Sequence, residues 1–139
     1  VADIVKNQQL LGAGSADASG YTVQVSQCNK LTMSVFVTVT AATLVGTVAL
    51  TGTNDDARAL DITPLSLPTL ATGKELSVLP TGFTFTPTTG LLAVSSPAIG
   101  TYEVILSYSD FPKWIRPVYD FTSGGGTVSV SATVSAWSV

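Results

Sequence analysis

The sequence predicts an all-β domain: an antiparallel β-sandwich, jelly-roll-like, with an N-terminal arm. Three observations carry that expectation. First, charged residues make up only 11% of the 139, against about 25% in an average soluble domain. Their place is taken by 20 Thr, 15 Ser and 17 Val, residues that favour strands or turns over helices. Second, several stretches alternate strictly between apolar and hydroxylated side chains, the two-residue period of a strand with one face in a core. Third, Gly, Pro, Asn and Asp clusters punctuate these stretches at roughly 8–12-residue spacing, as in sandwiches and barrels.

Residues 1–20 are expected to form a head distinct from the sandwich of residues 21–139. Val1–Leu11 fits either a short helix, with Asp3 as N-cap and Gly12 as stop, or an extended arm. Ile4, Val5, Leu10 and Leu11 are its apolar residues, candidates for docking on a neighbour. The segment Gly12–Gly20 (GAGSADASG) has the composition of a flexible linker. Val1 is small enough to follow a trimmed initiator Met, and no charged-then-apolar leader pattern follows it.

Tyr21, Val23 and Val25 alternate with polar neighbours. Leu31, Met33, Val35, Val37 and Val39 then alternate with Thr32, Ser34, Phe36, Thr38 and Thr40, the cleanest strand signal in the chain. Leu31–Leu50 contains no charge and has the length of a membrane span, but its alternation and its Thr residues predict two strands instead. Thr51–Ala57 (TGTNDDA) reads as a turn. Leu60, Ile62, Leu65 and Leu67, broken by Pro64 and Pro68, read as an edge strand or a covering loop. Short strands are expected at Leu76–Leu79, Phe83–Thr86 and Leu91–Ser95, then at Thr101–Tyr108 and Trp114–Phe121. Pro117 places the last of these at an edge or a bulge. Ser123–Gly126 reads as a hairpin loop, before a final alternating strand over Thr127–Ala136.

Function classes fall away on composition. With no His, histidine-dependent triads and His-bearing zinc sites are excluded. One Cys, Cys28, allows neither an intrachain disulfide nor a thiolate cluster, and without a His to activate it reads as a structural thiol. A net charge of −3 argues against binding nucleic acid through its phosphates. Asp55, Asp56 and Asp61 offer oxygen ligands for a hard cation but match no EF-hand spacing, so no metal or cofactor is expected. Glu103, Asp110 and Asp120 are the carboxylates available for a hydrolytic pair, which would need two of them about 5–10 Å apart. Surface solvation is the simpler reading of all three. The aromatic set near the end, Phe111, Trp114, Tyr119, Phe121 and Trp137, with Arg116 among them, is the stronger signal. Trp and Arg are enriched where proteins meet partners, and aromatics also stack on sugar rings. Phe111, Trp114, Arg116, Tyr119 and Trp137 are therefore interface candidates.

The order of Thr51-Gly52-Thr53-Asn54-Asp55-Asp56, Gly100-Thr101-Tyr102-Glu103-Val104, Trp114-Ile115-Arg116-Pro117-Val118-Tyr119 and Gly126-Thr127-Val128-Ser129-Val130-Ser131 resembles small virion proteins of tailed bacteriophages. In these a G-S/T-N-D turn is followed late by an aromatic-[IV]-R-[VP] strand and a Gly-Thr-rich terminal hairpin. The resemblance covers roughly residues 31–136. It implies a β-sandwich capsid decoration or accessory subunit, commonly oligomeric and without catalysis, in a virion assembled in the host cytoplasm. Its partners would be the major capsid protein or other virion proteins, with no nucleic acid and no membrane span. Two other readings stand beside it. One is a carbohydrate-binding or adhesion module using Trp114, Tyr119 or Trp137. The other is a small jelly-roll capsid protein that closes shells itself.

Overall fold

The computed structural model describes residues 2–60, 67–124 and 126–139, and, within those, no side chain of Ala2, Asp3, Ile4, Asn7 or Leu60. The strands are β1 (Ala2–Ala13), β2 (Ala18–Ser19), β3 (Val23–Gln24), β4 (Lys30–Val39), β5 (Val45–Thr53), β6 (Gly73–Glu75), β7 (Phe83–Thr86), β8 (Leu91–Ser95), β9 (Gly100–Tyr108), β10 (Trp114–Ser123) and β11 (Val128–Ser138). One short helix, α1 (Asp56–Leu60), interrupts them. Two antiparallel sheets pack face to face, as the alternation predicts. One has the order β1-β11-β4-β9-β6 and the other β2-β10-β5-β8-β7, with β3 also pairing β10.

The pairing has a concentric logic. β1 pairs with β11, β2 with β10, β4 with β9 and β5 with β8, all antiparallel. The chain is thus a long two-stranded ribbon, folded back at its middle and rolled so that β11 meets β4 and β10 meets β5. That is the connectivity of a jelly roll. β3, β6 and β7 are short additions to it.

The core follows from the period of two. On β4, Leu31, Met33, Val35, Val37 and Val39 are buried. On β11 they face Val128, Val130, Ala132, Val134 and Ala136, and on β9 Val104, Leu106 and Tyr108. The opposite sheet supplies Val48, Leu50, Leu92, Val94, Ile115 and Tyr119, all in one cluster with them. Tyr119 lies over Gly46, where an added Cβ would come within 3.2 Å of its ring.

Several expectations change. Residues 2–20 form neither a helix nor a separate arm. β1 is an edge strand of the five-stranded sheet, and Val5, Leu10 and Leu11 are core residues. Three irregularities in its register with β11 hid the strand from a strict two-residue reading. The Gly-rich linker is anchored as well: Asp17 Oδ1 accepts the Phe121 amide at 2.7 Å, and Tyr21 donates to the Leu10 carbonyl at 2.7 Å. The strand expected from Tyr21 shrinks to β3, and the one expected at Leu76–Leu79 lies earlier, as β6. Most of the Leu60–Leu67 expectation, including Ile62, Pro64 and Leu65, lies outside the described residues.

Two corrections concern the end of the chain. β10 is an interior strand despite Pro117, with β5 on one side and β2 and β3 on the other. The Pro117 carbonyl accepts from Gly20 at 2.7 Å, so its missing N–H would point to that same side. There Gly20 lies between β2 and β3, so the bond the proline cannot return falls where that neighbouring edge is already interrupted. Ser123–Gly126 is no hairpin: β10 and β11 belong to different sheets, and this segment crosses from one to the other. Gly126 makes the crossing with φ 76° beside Ala41 and Thr40, where an added Cβ would come within 2.8 Å of both side chains.

Removing residues 1–20 is expected to leave an aggregating chain without a cooperative melt, because β11 becomes an uncovered edge and Leu10 and Leu11 leave the core. Leu10→Ala in the full chain should cost about 2–5 kcal/mol; a truncated chain melting at the full-length temperature would contradict both. A second expectation concerns Tyr108, whose buried hydroxyl has no hydrogen-bond partner among the described residues. Burial raises its pKa above the ordinary value near 10, so the folded form holds a proton that the unfolded form releases. Stability is therefore intact below pH 10 and falls as pH rises beyond it. Tyr108→Phe should leave the melting temperature at neutral pH equal or higher and flatten its decline in alkaline titration.

Candidate functional site

The sequence-expected interface residues do not form one surface. Val5, Leu10, Leu11 and Tyr119 are buried in the core and are unavailable to a partner. The side chain of Ile4 lies outside the described residues. Phe111 is half-buried against the core. Trp114 and Arg116 face outward from β10, on the side opposite Ile115 and Tyr119, and both are half-buried.

Trp114 is held rather than free. Its Nε1–H donates to Asp56 Oδ1 at 2.7 Å, and the Lys113 ammonium reaches the same oxygen at 2.8 Å. Asp55 caps α1, its carboxylate accepting from the Ala57 amide at 3.0 Å. Asn54 Oδ1 accepts from the Lys113 amide at 2.8 Å. The TGTNDD segment is therefore the end of β5 and the start of α1, docked on the opening of β10. Asn54 and Asp56 make that docking while Asp55 caps the helix, and Asp61 lies outside the described residues. No group of three or more potential metal ligands occurs among the described residues.

The carboxylates considered for hydrolysis are scattered. Glu103 projects from the outer face of the five-stranded sheet, Asp120 from the outer face of the other, and Asp110 lies in the connection between β9 and β10. Cys28 is half-buried, and burial raises its thiol pKa, away from nucleophilic use.

What the fold does assemble is the outer face of β11, β4 and β9. Register places Ser129, Thr38 and Thr101 in one row, and Ser131, Phe36 and Glu103 in the next. Thr133, Ser34 and Ile105 follow, then Ser135, Thr32 and Ser107. Thr38 and Thr101 hydroxyls lie 3.3 Å apart. Across these rows Glu103 is the only charged residue. Phe36, near the middle, is 37% exposed. The sequence marks these positions as outward Ser and Thr suited to docking, but not which of them lie side by side. The cross-strand register, which a single strand does not reveal, makes them a continuous face.

At one end this face deepens into a cleft of about 340 Å³. Trp137 and Lys30, paired across β11 and β4, form one wall. Leu76, 56% exposed, forms the other, its backbone N–H donating a hydrogen bond to the Ile105 carbonyl at 3.0 Å. Thr32 and Ser107 form the floor. Asn29 fixes the Trp137 end, its side-chain amide exchanging two hydrogen bonds with the Val139 backbone at 3.0 and 3.2 Å.

The attachment of Trp114 to α1 makes an optical prediction. Its two hydrogen-bonding neighbours, Lys113 and Trp114 itself, hold the Asp56 carboxyl below its ordinary value of 3.8. The stabilising contact is thus present above 3.8 and is lost only as pH falls through that lower value. Acid titration of Trp114 fluorescence should show its transition below 3.8, and Asp56→Asn should remove the transition with little change in melting temperature.

No family model, curated protein or solved structure matches this chain.

Proposed function

We propose that this chain is a non-enzymatic structural protein of a virion. It acts as a decoration or cement subunit that binds the head lattice through the major capsid protein or another virion protein, and it self-associates as a homo-oligomer. The observation that carries this reading is the outer face of β11, β4 and β9: four rows of short hydroxylated side chains with Phe36 and Ile105 among them and one charge, Glu103. Charged residues are depleted from the centres of protein interfaces, whereas a partly exposed aromatic serves as an anchor. Ser and Thr lose little rotamer freedom on docking, so a broad face of them is covered at low entropic cost. The sealed core and the dispersed carboxylates favour adhesion over turnover.

A second reading, a shell-forming jelly-roll capsid subunit, is favoured by the concentric pairing of β1 with β11 through β5 with β8. Fold alone does not decide between the two.

Sedimentation velocity over a concentration series, alone and with empty shells assembled from a tailed-phage major capsid protein, tests the proposal. Self-association and co-sedimentation are expected. Phe36→Glu or Ser34→Glu should weaken both by at least about tenfold, roughly 1.4 kcal/mol, at an unchanged melting temperature. A monodisperse monomer that never co-sediments overturns the reading; closed shells formed by the chain itself favour the second one.

A further inference from the structure

The cleft at the end of the hydroxylated face has a chemistry distinct from the face itself. Its walls are an indole, Trp137, and an exposed aliphatic chain, Leu76. Its polar groups are the Lys30 ammonium and the hydroxyls of Thr32, Ser107 and Ser109. None of these four side chains makes a hydrogen bond or ion pair with another described residue. Among the described residues that line the cleft, none carries a carboxylate side chain. A volume of about 340 Å³ lies at the small end of the roughly 300–1,000 Å³ typical of ligand sites, matching one or two sugar rings better than a longer chain.

We propose that this cleft binds a pyranose sugar bearing a carboxylate, with the ring against Trp137 and the carboxylate paired with Lys30. A pyranose has an apolar C–H face and a rim of hydroxyls. An aromatic plane beside unengaged Ser and Thr hydroxyls matches both at once. Lys30 is the one cationic side chain among the described lining residues and faces no carboxylate side chain among them, so an acidic sugar gains a charge-assisted bond that a neutral one lacks. The Asn29 clip on Val139 and the Leu76 backbone hydrogen bond to Ile105 hold both walls before any ligand arrives, which lowers the ordering cost of binding. The cleft shares Thr32 and Ser107 with the last row of the face on which the assembly reading rests, but Lys30, Leu76 and Trp137 lie outside those rows, so sugar binding read at these three and self-association read at Phe36 can fail independently.

The test is titration of the full chain with glucuronate, galacturonate and N-acetylneuraminate, with glucose and N-acetylglucosamine as neutral comparators. Trp137 fluorescence is read in a Trp114→Phe background, and amide shifts are followed at Lys30, Thr32, Leu76 and Ser107. At least one acidic sugar should give saturable changes confined to these residues, with affinity about tenfold above glucose. Lys30→Gln should erase that preference while leaving weak neutral binding, and Trp137→Ala should abolish both. Thr32→Phe fills the cleft from β4 while leaving Lys30 and Trp137 in the chain, and should also abolish binding, so a folding defect in one variant leaves the other informative. Absence of saturable change with every acidic sugar up to about 50 mM, where even millimolar affinity would register, overturns the proposal. So does acidic binding that survives both Trp137→Ala and Thr32→Phe, or a preference unaffected by Lys30→Gln.

Discussion

Everything in this fold depends on the strict alternation along β4, because that strand touches both halves of the rolled ribbon. β11 pairs along one of its edges and β9 along the other. Its inward residues from Leu31 to Val39 are almost wholly removed from water. A shift by one residue would exchange that row for Thr32, Ser34, Phe36 and Thr38, burying three hydroxyls without partners and exposing five large apolar side chains. The register of the whole five-stranded sheet is therefore fixed by burial at its centre. The outer face inherits its order from the same constraint: Ser131, Phe36 and Glu103 align because Ala132, Val35 and Val104 do so beneath them.

The parts of the fold legible in the sequence are those governed by local period. β4, β7, β8, β9, β10 and β11 fall where the alternation places them, within a residue or two. What stayed hidden depends on contacts between distant segments. β1 pairs across the full length of the chain, from Ala2 against Ser138 to Ala13 against Val130, with register breaks that scramble its period. Read locally, Leu10-Leu11 between Gln9 and Gly12 suits a helix end or an arm. Only β11, lacking a neighbour on that side, makes it a strand. Pro117 misled for a related reason. A proline excludes one hydrogen bond on one side of a strand, and the sequence does not say that the neighbour is already interrupted there. Gly124 and Gly126 were legible as a tight passage, but not as a passage between sheets.

The candidate site shows the same division. Trp137 was visible as an aromatic near the end of the chain, but its partners in the cleft come from β4, the segment after β6 and the end of β9. No spacing rule joins Lys30, Leu76 and Ser107. Val5, Leu10, Leu11 and Tyr119 drew attention for being large and apolar, and the core claimed them. Where a strand has one wet face, an apolar residue in phase with its neighbours belongs to the interior, and the informative residues are those out of phase. Phe36 and Trp137 are out of phase and Tyr119 is not, while Leu10 is buried beside Leu11 only because the register with β11 breaks there.

The composition of the outer face bears on how firmly such a protein can hold a partner. A Ser or Thr hydroxyl exposed on a sheet is already hydrogen-bonded to water, so exchanging that water for a partner's group yields about 0.5–1.5 kcal/mol at most. Direct gains from the rows around Ser34 and Thr133 are thus small individually, and apolar contact at Phe36 and Ile105 must supply the larger share. The benefit of the hydroxyls is that their desolvation is cheap. Lys or Glu in the same rows would lose far more hydration on burial and would need a matched opposite charge. A face of this kind tolerates an imperfectly complementary partner, and on the proposed head lattice it would gain affinity through repetition, since many weak copies act together. That property separates it from the cleft beside Trp137, where a few fixed groups converge on a small volume and selectivity comes from their arrangement.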